Sequence, residues 1–273
     1  MTTYSTAGVL ELDLRLAAGD IEVQTDDAAT TSVQLEPLRN DEATLEAIAA
    51  ARVELVELGA GAQRLTVVVE ERRRSFGGSP EVRIRVRSPH GARLEATSQA
   101  ADVEARGHFG SARVKTISGD VSIETVEGDA AVKTTSGDVD VHEIGGTAEL
   151  GTVSGDLSLS ALHGDGRFEL VSGDLDVGEA AGSVTAGSVS GDQRIGAVTQ
   201  GAVTLRSVSG DIEVGIRSGS RLWVDANALS GDTTSELELS GDPGAEDGPL
   251  VELRVTSVSG DVRVVRAAPV PQP

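Results

Sequence analysis

Aspartate recurs on a fixed spacing in this 273-residue chain, and a row of carboxylates is the first candidate for chemistry. Asp120, Asp138, Asp156, Asp174 and Asp192 each end a Ser-Gly-Asp tripeptide and lie 18 residues apart. The tripeptide then returns at looser intervals, ending in Asp211, Asp232, Asp242 and Asp261. Units of that length stacked on one another would set the carboxylates in a column about 5 Å apart, repelling by roughly 1 kcal/mol per neighbour even in water. A bound cation would relieve the repulsion, and calcium-binding nonapeptide rolls also carry Asp on a nine-residue repeat. Their Gly-Gly-x-Gly-x-Asp pattern is not found here. One Gly directly before each Asp favours the structural reading, in which Gly supplies a positive φ and Ser and Asp cap turn N–H groups. Neither a metal site nor a cofactor is expected.

Other residue types that could do chemistry are sparse. The four histidines, His90, His108, His142 and His163, share no single repeat phase, although His90 and His108 are 18 apart and would be neighbours in a stack. A Ser-His-Asp triad needs convergence at a break in the repeat, and nothing marks one. Sugar processing on a β-helix usually displays aromatic platforms, and this chain has one Trp and one Tyr. Arg72, Arg73 and Arg74 with Arg83, Arg85 and Arg87 make a local basic patch. Cross-strand pairing with Glu11 or Asp13 is the plain reading; docking of an acidic partner segment is the sharper one. Trp223 alternates with Leu222 and Val224, which points it outward beside Arg221 and makes it a candidate contact residue, unless the insertion Asp225–Ser230 folds over it.

The elements that must position these residues are legible in the repeat. The 18-residue unit halves: Gly128, Gly146, Gly164 and Gly182 lie nine residues from the Ser-Gly-Asp glycines. After each glycine, positions +2, +4 and +7 are mostly apolar, as in Val121, Ile123 and Val126, or Leu157, Leu159 and Leu162. Positions +3 and +5 are mostly polar, and period-two alternation is the mark of a strand with one buried face. The +2 residue is large after Ser-Gly-Asp (Val121, Val139, Leu157, Leu175) and mostly small after the other half (Ala130, Ala148, Gly166), so large faces small across a thin core. This predicts an all-β chain: a right-handed parallel β-solenoid, a flattened β-helix of about 18 residues per coil in two nine-residue strand-turn units. Residues 91–266 are expected to form it. Residues 1–90 read as an N-terminal β-rich cap continuous with it, with a short helix over Asp41–Ala51 whose apolar residues are Leu45 and Ile48. Gly19-Asp20-Ile21-Glu22-Val23 already shows the same turn and alternation. Residues 267–273 read as a disordered tail.

Composition narrows the function classes. A net charge of −21 argues against nucleic acid and anionic membranes as partners, because both need a basic footprint. With no cysteine there is neither a disulfide framework nor a thiolate metal site. No apolar run is long enough to span a bilayer, and Met1-Thr2-Thr3-Tyr4-Ser5 lacks the features of a secretory signal, so the expected location is cytoplasmic.

The repeated Ser-Gly-Asp-Val-x-Val units resemble the bacterial β-strand-repeat family of candidate adhesins, a domain family of unknown function. The likeness covers about Gly91 to Arg266 and, more loosely, the N-terminal part, and it implies no catalytic residues to transfer. The favoured function is a non-enzymatic binding or scaffold protein, an adhesin-like β-solenoid presenting a rigid surface to an unknown protein partner, with Trp223, Arg221, Arg83, Arg85 and Arg87 as possible contacts. The alternative is a carbohydrate-active lyase or hydrolase on a parallel β-helix.

Overall fold

The computed structural model describes residues 2–6, 8–59, 61–70, 79–237 and 248–268. Arg72–Arg74, the tripeptide ending in Asp242 and most of the expected tail lie outside the described residues. The chain divides into two units, Met1–Val141 and His142–Pro273. Among the described residues no helix is long and apolar enough to cross a membrane.

The first unit holds β1 (Thr2–Ser5), β2 (Val9–Asp26), β3 (Thr30–Pro37), α1 (Glu42–Ala50), β4 (Arg52–Gly59), β5 (Ala62–Val69), β6 (Val82–Pro89), β7 (Ala92–Lys115), β8 (Val121–Val126) and β9 (Ala130–Lys133). β10 (Val139–Ile144) carries the chain onward. Alternation drives β2: Leu10, Leu12, Leu14, Leu16, Ile21 and Val23 are buried. At roughly 1.5–3 kcal/mol per buried aliphatic side chain, this one strand has a strong preference for which face it hides. Its first half pairs in parallel with β5 and its second, from Gly19, with β6, while the whole strand pairs in parallel with β7 on its other edge. Gly19 and Asp20 lie opposite Ala101 and Asp102, so the early Gly-Asp is in phase with the repeat. Outside β5 and β6 the pairing turns antiparallel: β4 on β5, β3 on β6, and β1 on β3. These strands cover the outer edges of β5 and β6, where unpaired main-chain groups would otherwise invite another chain.

The second unit holds β11 (Ala148–Ser154), β12 (Leu157–Leu162), β13 (Gly166–Ser172), β14 (Leu175–Ala180), β15 (Val184–Ser190), β16 (Gln193–Val198), β17 (Gly201–Ser209), β18 (Ile212–Ile216), β19 (Arg221–Ser230), β20 (Thr233–Ser235), β21 (Leu250–Ser259) and β22 (Val262–Arg266). Among the described residues the strand pairings here are parallel, and odd strands pair with odd and even with even, which makes two strands per coil. Of the expected column of large residues, Leu157 lies opposite Leu175, and the row continues beyond it with Leu175 opposite Gln193, Gln193 opposite Ile212 and Ile212 opposite Val262. The small position has a packing cause at Gly166, where a Cβ would come within 2.8 Å of the buried Phe168 ring.

Two departures from the repeat pattern appear. Gln193 occupies an apolar slot yet is 1% exposed, and its amide donates to the Ser188 hydroxyl (2.7 Å) and the Arg206 carbonyl (2.8 Å). Stacking order also departs from chain order. β21 and β22 lie between β17/β18 and β19/β20, so the coil that comes later in sequence sits inside the one before it.

Candidate functional site

The Asp column is real, but its hydrogen bonds run between coils and not within turns. Seven of the carboxylates accept the main-chain N–H of the next Asp in the stack. In the first unit Asp102 accepts from Asp120 and Asp120 from Asp138, both at 2.9 Å. In the second, Asp156 accepts from Asp174 (2.9 Å), Asp174 from Asp192 (2.8 Å) and Asp192 from Asp211 (2.8 Å). Asp211 accepts from Asp261 (2.8 Å) and Asp261 from Asp232 (2.9 Å), following the stack and not the chain. The turn-capping expectation is corrected here: a carboxylate at a coil corner reaches one strand spacing, about 4.8 Å, more readily than it folds back on its own turn.

The preceding glycines serve this contact. Gly173 has φ 135°, and a Cβ there would lie 2.0 Å from the Gly155 carbonyl oxygen. Gly137 does not adopt a positive φ, yet a Cβ on it would still lie 2.2 Å from the Gly119 carbonyl oxygen. Close approach of successive coils therefore demands glycine even where the dihedral does not. Among the described residues no group of three or more His, Cys, Asp or Glu side chains is arranged to hold a metal ion.

Beside the carboxylates runs a feature that the period-two reading did not single out. Among the described residues, the residue just before the Ser-Gly-Asp serine is apolar and faces solvent in every tripeptide except the one that Thr135 precedes. In the second unit Val153, Val171, Val189, Val208 and Val258 are each about half exposed, and Leu229 is 84% exposed. The parallel registers place their neighbouring serines side by side, Ser154 with Ser172, Ser172 with Ser190, Ser190 with Ser209, Ser209 with Ser259 and Ser259 with Ser230. The result is an apolar ladder flanked by an acidic one, with a rung about every 4.8 Å. The signal was available, since an apolar residue precedes the serine in nearly every tripeptide.

Of the described arginines in the expected basic patch, two are already paired. Arg83 pairs with Asp20 (2.6 Å) and Glu22 (3.0 Å), and Arg85 with Glu22 (2.9 Å) and Glu36 (3.1 Å). The partners differ from those expected, because Glu11 is held by Arg64 and Arg93, and Asp13 by Arg15. The hydrogen bonds to Asp20 and Glu22 hold the Arg83 and Arg85 guanidiniums further above their ordinary range. Arg87 lies between Ser32 and Gln24 in register, with no ion pair among the described residues.

His90 and His108 are stacked neighbours, their rings edge to face with centroids 5.2 Å apart. The Thr25 hydroxyl lies between them, 2.9 Å from His90 Nδ1, and accepts the His108 main-chain N–H at 2.7 Å. Thr25 is buried, so this group braces β2 against β7. Trp223 points outward as expected and is about half exposed. Asp225–Ser230 do not fold over it; they continue β19. The Arg254 guanidinium covers its ring instead, 4.9 Å from the centroid, and Arg221 donates to the Gly248 carbonyl at 3.1 Å.

The profile of the Toastrack DUF4097 family matches residues 3–170 and again residues 166–265. No curated protein matches the chain. A crystal structure of a candidate adhesin from Bacteroides fragilis is similar at 13% identity, covering 97% of this chain and 95% of that one, with a TM-score of 0.49. One from Parabacteroides distasonis is similar at 10% identity and the same coverage, with a TM-score of 0.33.

Proposed function

Because the chain belongs to the Toastrack DUF4097 family, a family of unknown function, we propose its role from its own surface: a non-enzymatic, adhesin-like scaffold that binds a protein partner. The observation that carries this reading is the solvent-facing ladder of Val153, Val171, Val189, Val208 and Val258 beside the Asp column. Contiguous apolar surface rimmed by charge is what protein contact sites present. A sheet-edge ladder is stiff, so little ordering entropy opposes binding. The partner segment that fits is apolar with flanking Lys or Arg, since it must meet valines and a row of carboxylates together. Among the described residues, Arg87 is the cation of the predicted basic patch left to take an acidic residue of the same partner. A cytoplasmic location belongs to the proposal and is checked by cell fractionation.

Photo-crosslinking tests the contact surface. A benzophenone side chain placed at Val171 or Val189 is expected to capture the same protein, and one at Asp176, on the other sheet's outer face, to capture none. The double change Val171→Asp and Val189→Asp should abolish capture from Val208. Equal capture from both faces, or none from the ladder, overturns the reading.

A further inference from the structure

Among the described residues, the second unit ends in a coil whose core side is open. In β21 the inward residues Val251, Leu253 and Val255 are fully buried, but in β19 their counterparts Leu222, Val224 and Ala226 are only half buried. β19 pairs with β21 and, among the described residues, with no strand on its other edge. The Arg221 N–H donates to the Pro249 carbonyl, which fixes the phase of the strand. The main-chain groups of Arg221, Trp223, Asp225 and Asn227 therefore face β21, and those of Leu222, Val224, Ala226 and Ala228 face the open edge. An edge of this kind is a template for another strand.

We propose that a second copy of this chain covers it, through antiparallel pairing of β19 with itself about a two-fold axis at Ala226. Three features make the strand complementary to itself in that register. Nearly its whole length pairs, Leu222 with Ser230 of the second copy through to the reverse. The half-exposed Trp223 meets the 84% exposed Leu229 of the second copy, and Asp225 meets its Asn227, both in the non-hydrogen-bonded positions where side chains approach most closely. Arg221 lands beside the turn that carries Asp232 of the second copy. Among the described residues Asp232 is the last member of the column, and no further coil there offers its carboxylate an N–H. The half-buried Leu222 and Val224 then meet inward residues of the other copy, and the two thin cores become one. This rests on the strand edge and does not depend on the ladder being a partner site.

The chain has no cysteine, so single-cysteine variants report the register directly. Ala226→Cys sits on the axis, where paired Cα atoms lie about 5.5 Å apart, within disulfide reach. Oxidised Ala226→Cys is expected to run as a covalent dimer and Trp223→Cys as a monomer. Light scattering on the unmodified chain should give twice 28.0 kDa. Leu229→Asp should weaken the dimer about tenfold or more with an unchanged circular dichroism spectrum. A single-chain mass at every concentration overturns the proposal. A dimer that cross-links through Trp223→Cys but not Ala226→Cys also overturns it, as does a dimer indifferent to Leu229→Asp.

Discussion

A single buried leucine carries more of this fold than its outward neighbour. Leu159 is 0% exposed, and Leu159→Ala should cost about 2–5 kcal/mol in chemical denaturation, whereas Ser158→Ala should cost under about 0.5 kcal/mol. Glycines should divide just as sharply. Gly173→Ala would put a Cβ 2.0 Å from a neighbouring carbonyl oxygen at φ 135°, and should cost well over about 1 kcal/mol. Gly187 has open space around it, and Gly187→Ala should be neutral or stabilise by up to about 1 kcal/mol. Equal unfolding midpoints for the two variants would contradict the close-approach account of the glycine column.

At the scale of elements, helix α1 is held by its cap more than by its apolar face. Asp41 accepts the Thr44 N–H at 2.7 Å, and this bond holds the Asp41 carboxyl below its ordinary value of 3.8. A carboxyl lowered on folding adds stability that is complete above its unfolded pKa and is lost as pH falls through the folded one. The advantage of the wild type over Asp41→Ala should thus be constant above about pH 5 and shrink below about pH 4, while Asp41→Asn, which keeps the acceptor, should not show that loss. Thermal unfolding across that range checks it. The helix buries Thr44 and Ala47 and leaves Leu45 half exposed, contrary to the expected face. Thr44 is drawn inward because its hydroxyl accepts the Glu81 N–H, a contact with a segment 37 residues away.

For the molecule as a whole, a net charge of −21 and two series of stacked carboxylates place repulsion against hydrogen bonding. A charged acceptor contributes about 1.5–3 kcal/mol per bond, more than the roughly 1 kcal/mol of repulsion between neighbours, so the column holds without a cation. Added salt should raise the melting temperature modestly by screening. Calcium should do no more than magnesium at matched ionic strength. Asp174→Asn, which keeps an acceptor for the Asp192 N–H, should be tolerated better than Asp174→Ala. A calcium-specific rise of several degrees, lost in Asp174→Asn, would show a cation site instead.

Local pattern and short-range chemistry settle much of this protein from its sequence. The nine-residue half-coil, the buried column through Leu157 and Leu175, the His90–His108 contact and the outward Trp223 all follow from period, phase and side-chain type, because a repeat makes every coil meet a copy of itself. What the tertiary structure decided lies where that translation fails. β2 inserts between β5/β6 and β7, and β21/β22 between β17/β18 and β19/β20, so chain order no longer gives stacking order. Parallel pairing depends on register and face, which several coils satisfy equally, and the choice among them belongs to the ends of the stack. For the same reason the partners of Arg83 and Arg85, the cover over Trp223 and the run of Asp bonds from Asp211 to Asp261 to Asp232 could not be read from spacing. Each joins residues brought together only when one particular coil closes on another.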